Sequence, residues 1–252
     1  MQRYFIKNQI INNEVQVSSD DLHHMKDVMR YKDGDKVVII DSDGNNFQAI
    51  IKDINSGILD INNKIDINNE LDVDITIIYA FPKGDKFELV LKKTCELGVK
   101  RIVPIITNRC VVKLDEKRYQ KKKERYNKIL KEASEQCQRS IIPTLEDLSS
   151  LKVVEKYKSD YNLVAYEETS KEGKHGELYE TLKKLKKGSS ITVVVGSEGG
   201  FDKEEVDYLN GLGFKSCSLG KRILRSETAP IYICSVIGFT REIVHDFNKI
   251  DE

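Results

Sequence analysis

ITVVVGSEGGFDKEEVDYLNGLGFKSCSLGKRILRSETA, residues Ile191 to Ala229, decides the fold of this chain. Its opening run, Ile191 to Val195, is short and rich in β-branched residues, so it reads as a strand buried in a parallel sheet. Gly196-Ser197-Glu198-Gly199-Gly200 follows at once. A helix start comes next: Asp202 is the cap, Glu205 three residues on completes a capping box, and Phe201 is placed to staple onto Val206. Gly211 and Gly213 end that helix. A second short strand, Phe214 to Leu219, runs into Gly220 to Ala229, a polar loop that enters another helix. Ligands of α/β proteins bind beyond the carboxyl ends of the strands, so the two glycine-bearing loops read as two walls of one small-molecule site.

The glycine spacing limits what that site holds. A dinucleotide fingerprint requires G-x-G-x-x-G, whereas these glycines fall at 196, 199 and 200, and no G-x-x-x-x-G-K-[ST] is present. A tight turn needing positive φ would also use an isolated G-x-x-G-G. The second loop tips the reading towards function, because Arg222, Arg225, Glu227 and Thr228 stand beside Ile223 and Leu224 in the same unit.

At these residues the chain resembles the bacterial 16S ribosomal RNA uracil-N3-methyltransferases of the SPOUT superfamily. That family carries G-P-E-G-G followed by L-G-x-R-I-L-R-x-E-T-A. Gly196 to Gly200 and Leu219 to Ala229 match it, with Ser197 and Lys221 where proline is frequent. Thr94-Cys95-Glu96-Leu97-Gly98 is similar to the family's T-E-L-G with Cys95 inserted, and Glu132 to Arg139 is similar to E-A-x-E-Q-x-x-R. His23 to Arg30 is similar to H-H-x-x-x-V-x-R.

The resemblance implies an α/β protein: a SPOUT-type knot domain with a parallel sheet and a deep trefoil knot at residues 71–252, and a small PUA-like β-barrel that binds RNA at 1–70. It implies S-adenosylmethionine as cofactor, held by Tyr166, by Gly196, Ser197, Glu198, Gly199 and Gly200, and by Leu219, Gly220, Ile223, Leu224 and Arg225. Arg225 is the first catalytic candidate, since a guanidinium offers paired donors to the uracil oxygens as negative charge spreads onto them. Glu198 is the second, orienting Arg225 or taking part in removal of the N3 proton. Arg3, Arg30, Gln136, Arg139 and Arg222 are the expected RNA contacts. The implied partners are 16S rRNA in the small ribosomal subunit and a second copy of the chain, docked around the helix after Pro230. A ribose 2'-O-methyltransferase of the same superfamily, a nucleotide-dependent oxidoreductase and a non-catalytic ribosome-binding protein are the competing readings.

Composition describes an ordinary if polar protein of one large or two smaller domains, since 252 residues can bury a substantial core. The formal net charge of zero speaks against a nucleic-acid partner, but its distribution speaks for one. Lys83 to Arg139 holds 17 Lys plus Arg against 8 Asp plus Glu, the footprint of a phosphate-binding sector, although a solvated helix face accounts for many of these lysines singly. Residues 1–70 carry 8 basic and 12 acidic side chains, so RNA contact there is local. The 5 cysteines, without a C-x-x-C pair, suggest neither a disulfide framework nor a zinc site. Adjacent His23 and His24 cannot both face one metal from a helix, and only His175 and His245 remain, so no metal is expected. The N-terminus lacks an apolar signal region and no apolar run is long enough for a bilayer, which predicts a cytoplasmic protein without a membrane partner.

Along the chain, strands are expected at Tyr4–Ile6, Val15–Val17, Lys36–Ile40, Asn46–Ile51 and Ile58–Ile61, with a helix from Ser19 to Arg30 whose apolar face holds Leu22, Met25, Val28 and Met29. Asn62 to Glu70 reads as a linker. Strands at Val73–Phe81, Arg101–Ile106 and Tyr161–Ala165 then alternate with helices, the longest from about Lys117 to Arg139, which is the pattern of a parallel α/β sheet.

Overall fold

The structure is a computed structural model that describes residues 1–112, 116–166 and 176–244. His175 and His245 lie outside the described residues. The chain divides into two compact units, Met1–Glu70 with Lys131–Ile142, and Leu71–Leu130 with Pro143–Glu252.

In the first unit, β1 (Arg3–Phe5), β2 (Glu14–Gln16), β3 (Lys36–Ile40), β4 (Asn46–Asp53) and β5 (Ile58–Ile65) form one sheet in the order β1-β3-β4-β5-β2. β1 pairs β3 in parallel and the other pairs are antiparallel. β1 and β2 remain as edges, so the expected small barrel is a half-barrel. Its core holds Tyr4, Val15, Met25, Ile39, Ile51 and Leu59. β5 is longer than alternation suggested, with Ile65 paired to Asn46, so the asparagine-rich stretch is strand before it is linker.

The helix after β2 begins as α1 (Ser19–His23), capped by the Ser18 hydroxyl on the Asp21 N–H, and continues as a π-helical turn over His24–Val28. The wider turn rotates its last residues away from the α-helical face. Met25 is therefore buried while Val28, expected beside it, is 60% exposed. His24 meets the Tyr4 hydroxyl through Nδ1 at 3.0 Å, a core contact.

Lys131–Ile142 groups with this unit, although its sequence position suggested the second domain. Four ties explain the placement. Lys131 pairs with Asp21, Glu135 accepts the Phe5 N–H at 3.2 Å, Arg139 binds Glu70, and Ser140 Oγ accepts from Asn46 Nδ2 at 2.9 Å.

The second unit is a wholly parallel sheet of β6 (Asp74–Ala80), β7 (Arg101–Ile106), β8 (Thr144–Leu145), β9 (Ser149–Ser150), β10 (Tyr161–Ala165), β11 (Ser190–Val195) and β12 (Lys215–Cys217). The order is β12-β10-β11-β6-β7-β8, with β9 also on β7. Its helices are α2 (Lys86–Glu96), α3 (Glu116–Gln136, whose last residues belong to the first unit), α4 (Gly176–Lys184), α5 (Lys203–Gly211) and α6 (Thr228–Gly238), the last running on as a π-helical segment, Phe239–Val244. β6 and β11 are buried along almost their whole length without alternation, as expected of strands covered on both faces. No helix among the described residues is long and apolar enough to cross a membrane.

β10 lies between β11 and β12, so the chain leaves β11 and returns past β10 to reach β12. The register aligns Ala165 with Val195 on one side and with Cys217 on the other, which brings three adjacent carboxyl ends level. This change of direction beside a central strand is where an open α/β sheet leaves a crevice.

Candidate active site

The three level strand ends open on a cavity of about 1040 Å³. In its lining, Tyr166 follows β10, Gly196–Phe201 follows β11, and Cys217 ends β12 with Ser218–Ser226 after it, joined by Lys83, Lys86 and Arg109 from the β6 and β7 side. All residues expected around the cofactor, from Tyr166 to Arg225, face this one cavity, and Arg222 lines it too.

The first loop is shaped by close approach. Gly200 has φ +66° and its N–H donates to Ser197 C=O at 2.9 Å, closing a tight turn. Gly199 answers to a different constraint: a Cβ there would stand 2.5 Å from the Arg109 carbonyl oxygen. The buried Ser197 hydroxyl donates to that same carbonyl at 3.4 Å, a bond that proline, without a hydroxyl, cannot make. The expected capping box is complete, Asp202 Oδ1 accepting from Glu205 N at 2.8 Å and Glu205 Oε2 accepting from Asp202 N at 3.0 Å. Asn108 completes the clamp by donating to Glu205 through its backbone and to Asp202 through its side chain, both at 2.7 Å. Turn, close contact and cap therefore account for the spacing of Gly199, Gly200, Asp202 and Glu205 without any ligand.

The second loop is more open. Ser218 Oγ accepts from Gly220 N at 3.1 Å, Gly220 has φ +113°, and Ile223 is 75% exposed. The Arg225 carbonyl accepts the N–H groups of Thr228 and Ala229 at 2.9 and 3.1 Å, which places Arg225 at the entry to α6. Among the described residues the Arg222 and Arg225 guanidinium groups form no ion pair and are left to face the cavity.

Glu198 departs from its expected role. Instead of orienting Arg225, its Oε1 lies 2.9 Å from Lys86 Nζ and accepts the Lys83 N–H at 3.4 Å. The same ammonium reaches Glu227 Oε2 at 3.0 Å. Burial pushes both carboxyls up, but hydrogen bonds, prominently from Lys86, outweigh it and hold each below the usual carboxylate range. Glu198 is thus ionised and of low basicity. Behind this cluster the fully buried Tyr79 hydroxyl is directed at Ser226 without a well-aligned hydrogen bond, and burial raises its pKa far above the ordinary value. Lys86 escaped the sequence reading because one lysine in a basic sector carries no local signal.

The expected RNA contacts separate into two groups. Arg3 and Arg139 are 3% exposed and structural: Arg3 donates to Asn46 Oδ1 at 3.1 Å, and Arg139 donates to Glu70 Oε2 through Nε at 2.9 Å and through its terminal nitrogen at 2.6 Å. Arg30 and Gln136 are exposed. Arg30 also holds φ at 57°, a left-handed conformation uncommon outside glycine and asparagine.

A family model described as an RNA methyltransferase domain matches residues 69–238, and one described as an RNA methyltransferase PUA domain matches residues 17–62. The chain belongs to the RNA methyltransferase family. Ribosomal RNA small subunit methyltransferase E of Bacillus subtilis is 38% identical over 97% of this chain and 98% of its own length. The protein of the same name from a Synechocystis strain is 32% identical over 88% of this chain and 72% of its own. The crystal structure of a Neisseria gonorrhoeae ribosomal RNA small subunit methyltransferase E, bound to S-adenosyl methionine, superposes with a TM-score of 0.81 at 25% identity, covering 94% of this chain and 96% of that one. Membership in the RNA methyltransferase family accounts for both units, one carrying the methyltransferase domain and one matching the PUA domain.

Proposed function

We propose that the protein transfers a methyl group from S-adenosylmethionine to N3 of a uridine in 16S rRNA of the small ribosomal subunit. The observation that carries the reading is the convergence of both loops on one cavity at level strand ends, with Arg225, which forms no ion pair among the described residues, at the entry to α6. The cavity fits the cofactor: it offers glycine backbone at Gly196 and Gly220, apolar walls at Leu219 and Leu224, and no phosphate cradle. Relatives named as small-subunit ribosomal RNA methyltransferases, one of them bound to S-adenosyl methionine, support the substrate class and cofactor.

When bound, S-adenosylmethionine supplies a methyl group already activated as a sulfonium, so the task of the chain is positioning. Arg225 stabilises the uracil oxygens as the N3 proton leaves and charge spreads onto them. Glu198, held ionised by Lys86, is a weak base and serves the reaction through the shape and charge of the first loop. Arg30, Gln136 and Arg222 contact the RNA, whose target uridine is single-stranded or flipped out so that N3 is free of pairing. The protein works in the cytoplasm, as a dimer around α6, on a chain path that includes the trefoil knot.

Nucleoside mass spectrometry of small-subunit ribosomal RNA, from cells with and without the gene, tests the reading. Loss of N3-methyluridine alone is expected. Unchanged N3-methyluridine, with or without loss of another methylated nucleoside, rejects the uridine assignment.

A further inference from the structure

One ammonium joins the two walls of the cavity. Lys86 is the first residue of α2, on an element that belongs to neither loop, and its Nζ lies 2.9 Å from Glu198 of the first loop and 3.0 Å from Glu227 at the head of α6. Glu227 follows Ser226, and Ser226 follows Arg225, so the point held by Lys86 is two residues from Arg225. Both carboxylates are sheltered, at 20% and 12% side-chain exposure, and Lys86 is at 29%. Without the ammonium, two partly sheltered carboxylates would face each other, with the buried Tyr79 hydroxyl behind them.

We propose that Lys86 is a positioning residue for methyl transfer: by binding Glu198 and Glu227 together it sets the spacing of the two cofactor loops and the placement of Arg225. The proposal rests on the methyltransferase reading above. The second loop is tied locally by the Ser218–Gly220 turn and the α6 cap, and the clamp at Glu227 is what fastens it to α2 and to the first loop. A surface lysine with one carboxylate partner would contribute little, because solvent screens it. Here the cost of removing Lys86 is the repulsion it leaves behind.

The groups at the clamp are the Tyr79 hydroxyl from β6, the Lys83 backbone N–H before α2 and the Ser226 hydroxyl, which donates to Glu227, while Arg225 lines the same cavity. None replaces Lys86 as a cation between the two carboxylates, because Lys83 contributes its backbone N–H and Arg225 forms no ion pair with either. In Lys86→Met the pair therefore holds one proton into a higher pH range, and the acid limb of the rate profile moves upward. Lys86→Arg, which can span two carboxylates, restores the wild-type profile.

The test uses the full-length protein in three forms, wild type, Lys86→Met and Lys86→Arg, with S-adenosylmethionine and small ribosomal subunits lacking the modification. Hydrogen exchange of the Leu219–Glu227 amides is followed in parallel. Lys86→Met is expected to lower kcat at least tenfold with KM for subunits nearly unchanged, to shift the acid limb upward, and to speed loop exchange at least tenfold, with Lys86→Arg restoring all three. Unchanged loop exchange in Lys86→Met, or a Lys86→Arg form as impaired as Lys86→Met, overturns the proposal. Glu227→Gln, which removes one negative charge while keeping the shape, serves if Lys86→Met does not fold, and wild-type loop exchange in that variant is equally fatal. Failure of the methyltransferase reading is seen separately, as a wild-type protein that neither binds S-adenosylmethionine nor methylates subunits, and the exchange measurement still decides the clamp.

Discussion

Arg225 and Gly199 show at the scale of single residues how differently two positions in one motif are constrained. Arg225 has no tertiary reason for its guanidinium, which forms no ion pair among the described residues and faces the cavity. Arg225→Ala is therefore expected to leave thermal stability and S-adenosylmethionine affinity near wild type while methyl transfer falls by about a hundredfold or more, the scale of losing a donor that acts on developing charge. Near-normal turnover would remove Arg225 from the mechanism. Gly199 is the reverse case, since the Arg109 carbonyl occupies the space of a side chain. Gly199→Ala should cost about 1–3 kcal/mol of stability through overpacking, read from denaturant melts. It should also weaken cofactor binding, because the loop must retreat from Arg109. The motif spacing was legible in the sequence, but which glycine serves backbone conformation and which serves close approach was not, since that depends on Arg109, 90 positions away.

At the scale of elements, the start of α5 is a local design and the end of α6 is a tertiary one. The Asp202 carboxyl lies below the usual range because Asn108 and the Glu205 N–H donate to it. With the folded pKa depressed, its stabilisation is present above the unfolded value, about 3.9, and is lost as pH falls through the folded value. Asp202→Asn keeps a capping side chain but removes the titration, so its deficit in Tm should be largest near neutrality and shrink towards acid pH. A deficit that grows on acidification would contradict the assignment. In the π-helical segment after α6, Arg241 binds Asp72 at 2.9 and 2.6 Å and the Leu185 carbonyl at 2.7 Å, all within the second unit. Arg241→Ala removes the guanidinium bound to Asp72 and is expected to destabilise by about 3 kcal/mol, the lower end for a broken buried pair because Asp72 is partly exposed. The capping box was readable because it joins neighbours. Nothing in the local sequence announced that Arg241 reaches back 169 positions.

At the scale of the whole molecule, the apolar residues left exposed on the last helix call for a partner. Tyr232, Phe239 and Ile243 are 38%, 59% and 46% exposed on α6 and its π-helical continuation. We propose that a second copy of the chain covers them, and light scattering at micromolar concentration should give twice the chain mass of 28.9 kDa. A monomeric mass would reject the dimer. Phe239→Asp and Ile243→Asp together should convert the dimer to monomer, because charge on such a face must be desolvated to associate.

The parallel sheet, the two loops, the α5 cap and the order of strands and helices follow from the sequence itself, because each arises from short-range causes: β-branched runs, glycine freedom and side chains that cap the next turn. The residues that meet in the cavity were legible for a related reason, since loops at the carboxyl ends of neighbouring parallel strands share one side of the sheet. Only the tertiary structure decided that Arg3 and Arg139 are buried ties, that Lys131–Ile142 packs with the first unit, and that Lys86 rather than Arg225 holds Glu198. These outcomes depend on which distant segments the chain path brings within ion-pair reach. An isolated arginine, glutamate or lysine reads the same in sequence whether it ends at a phosphate, in a core or across from a carboxylate more than 100 residues away.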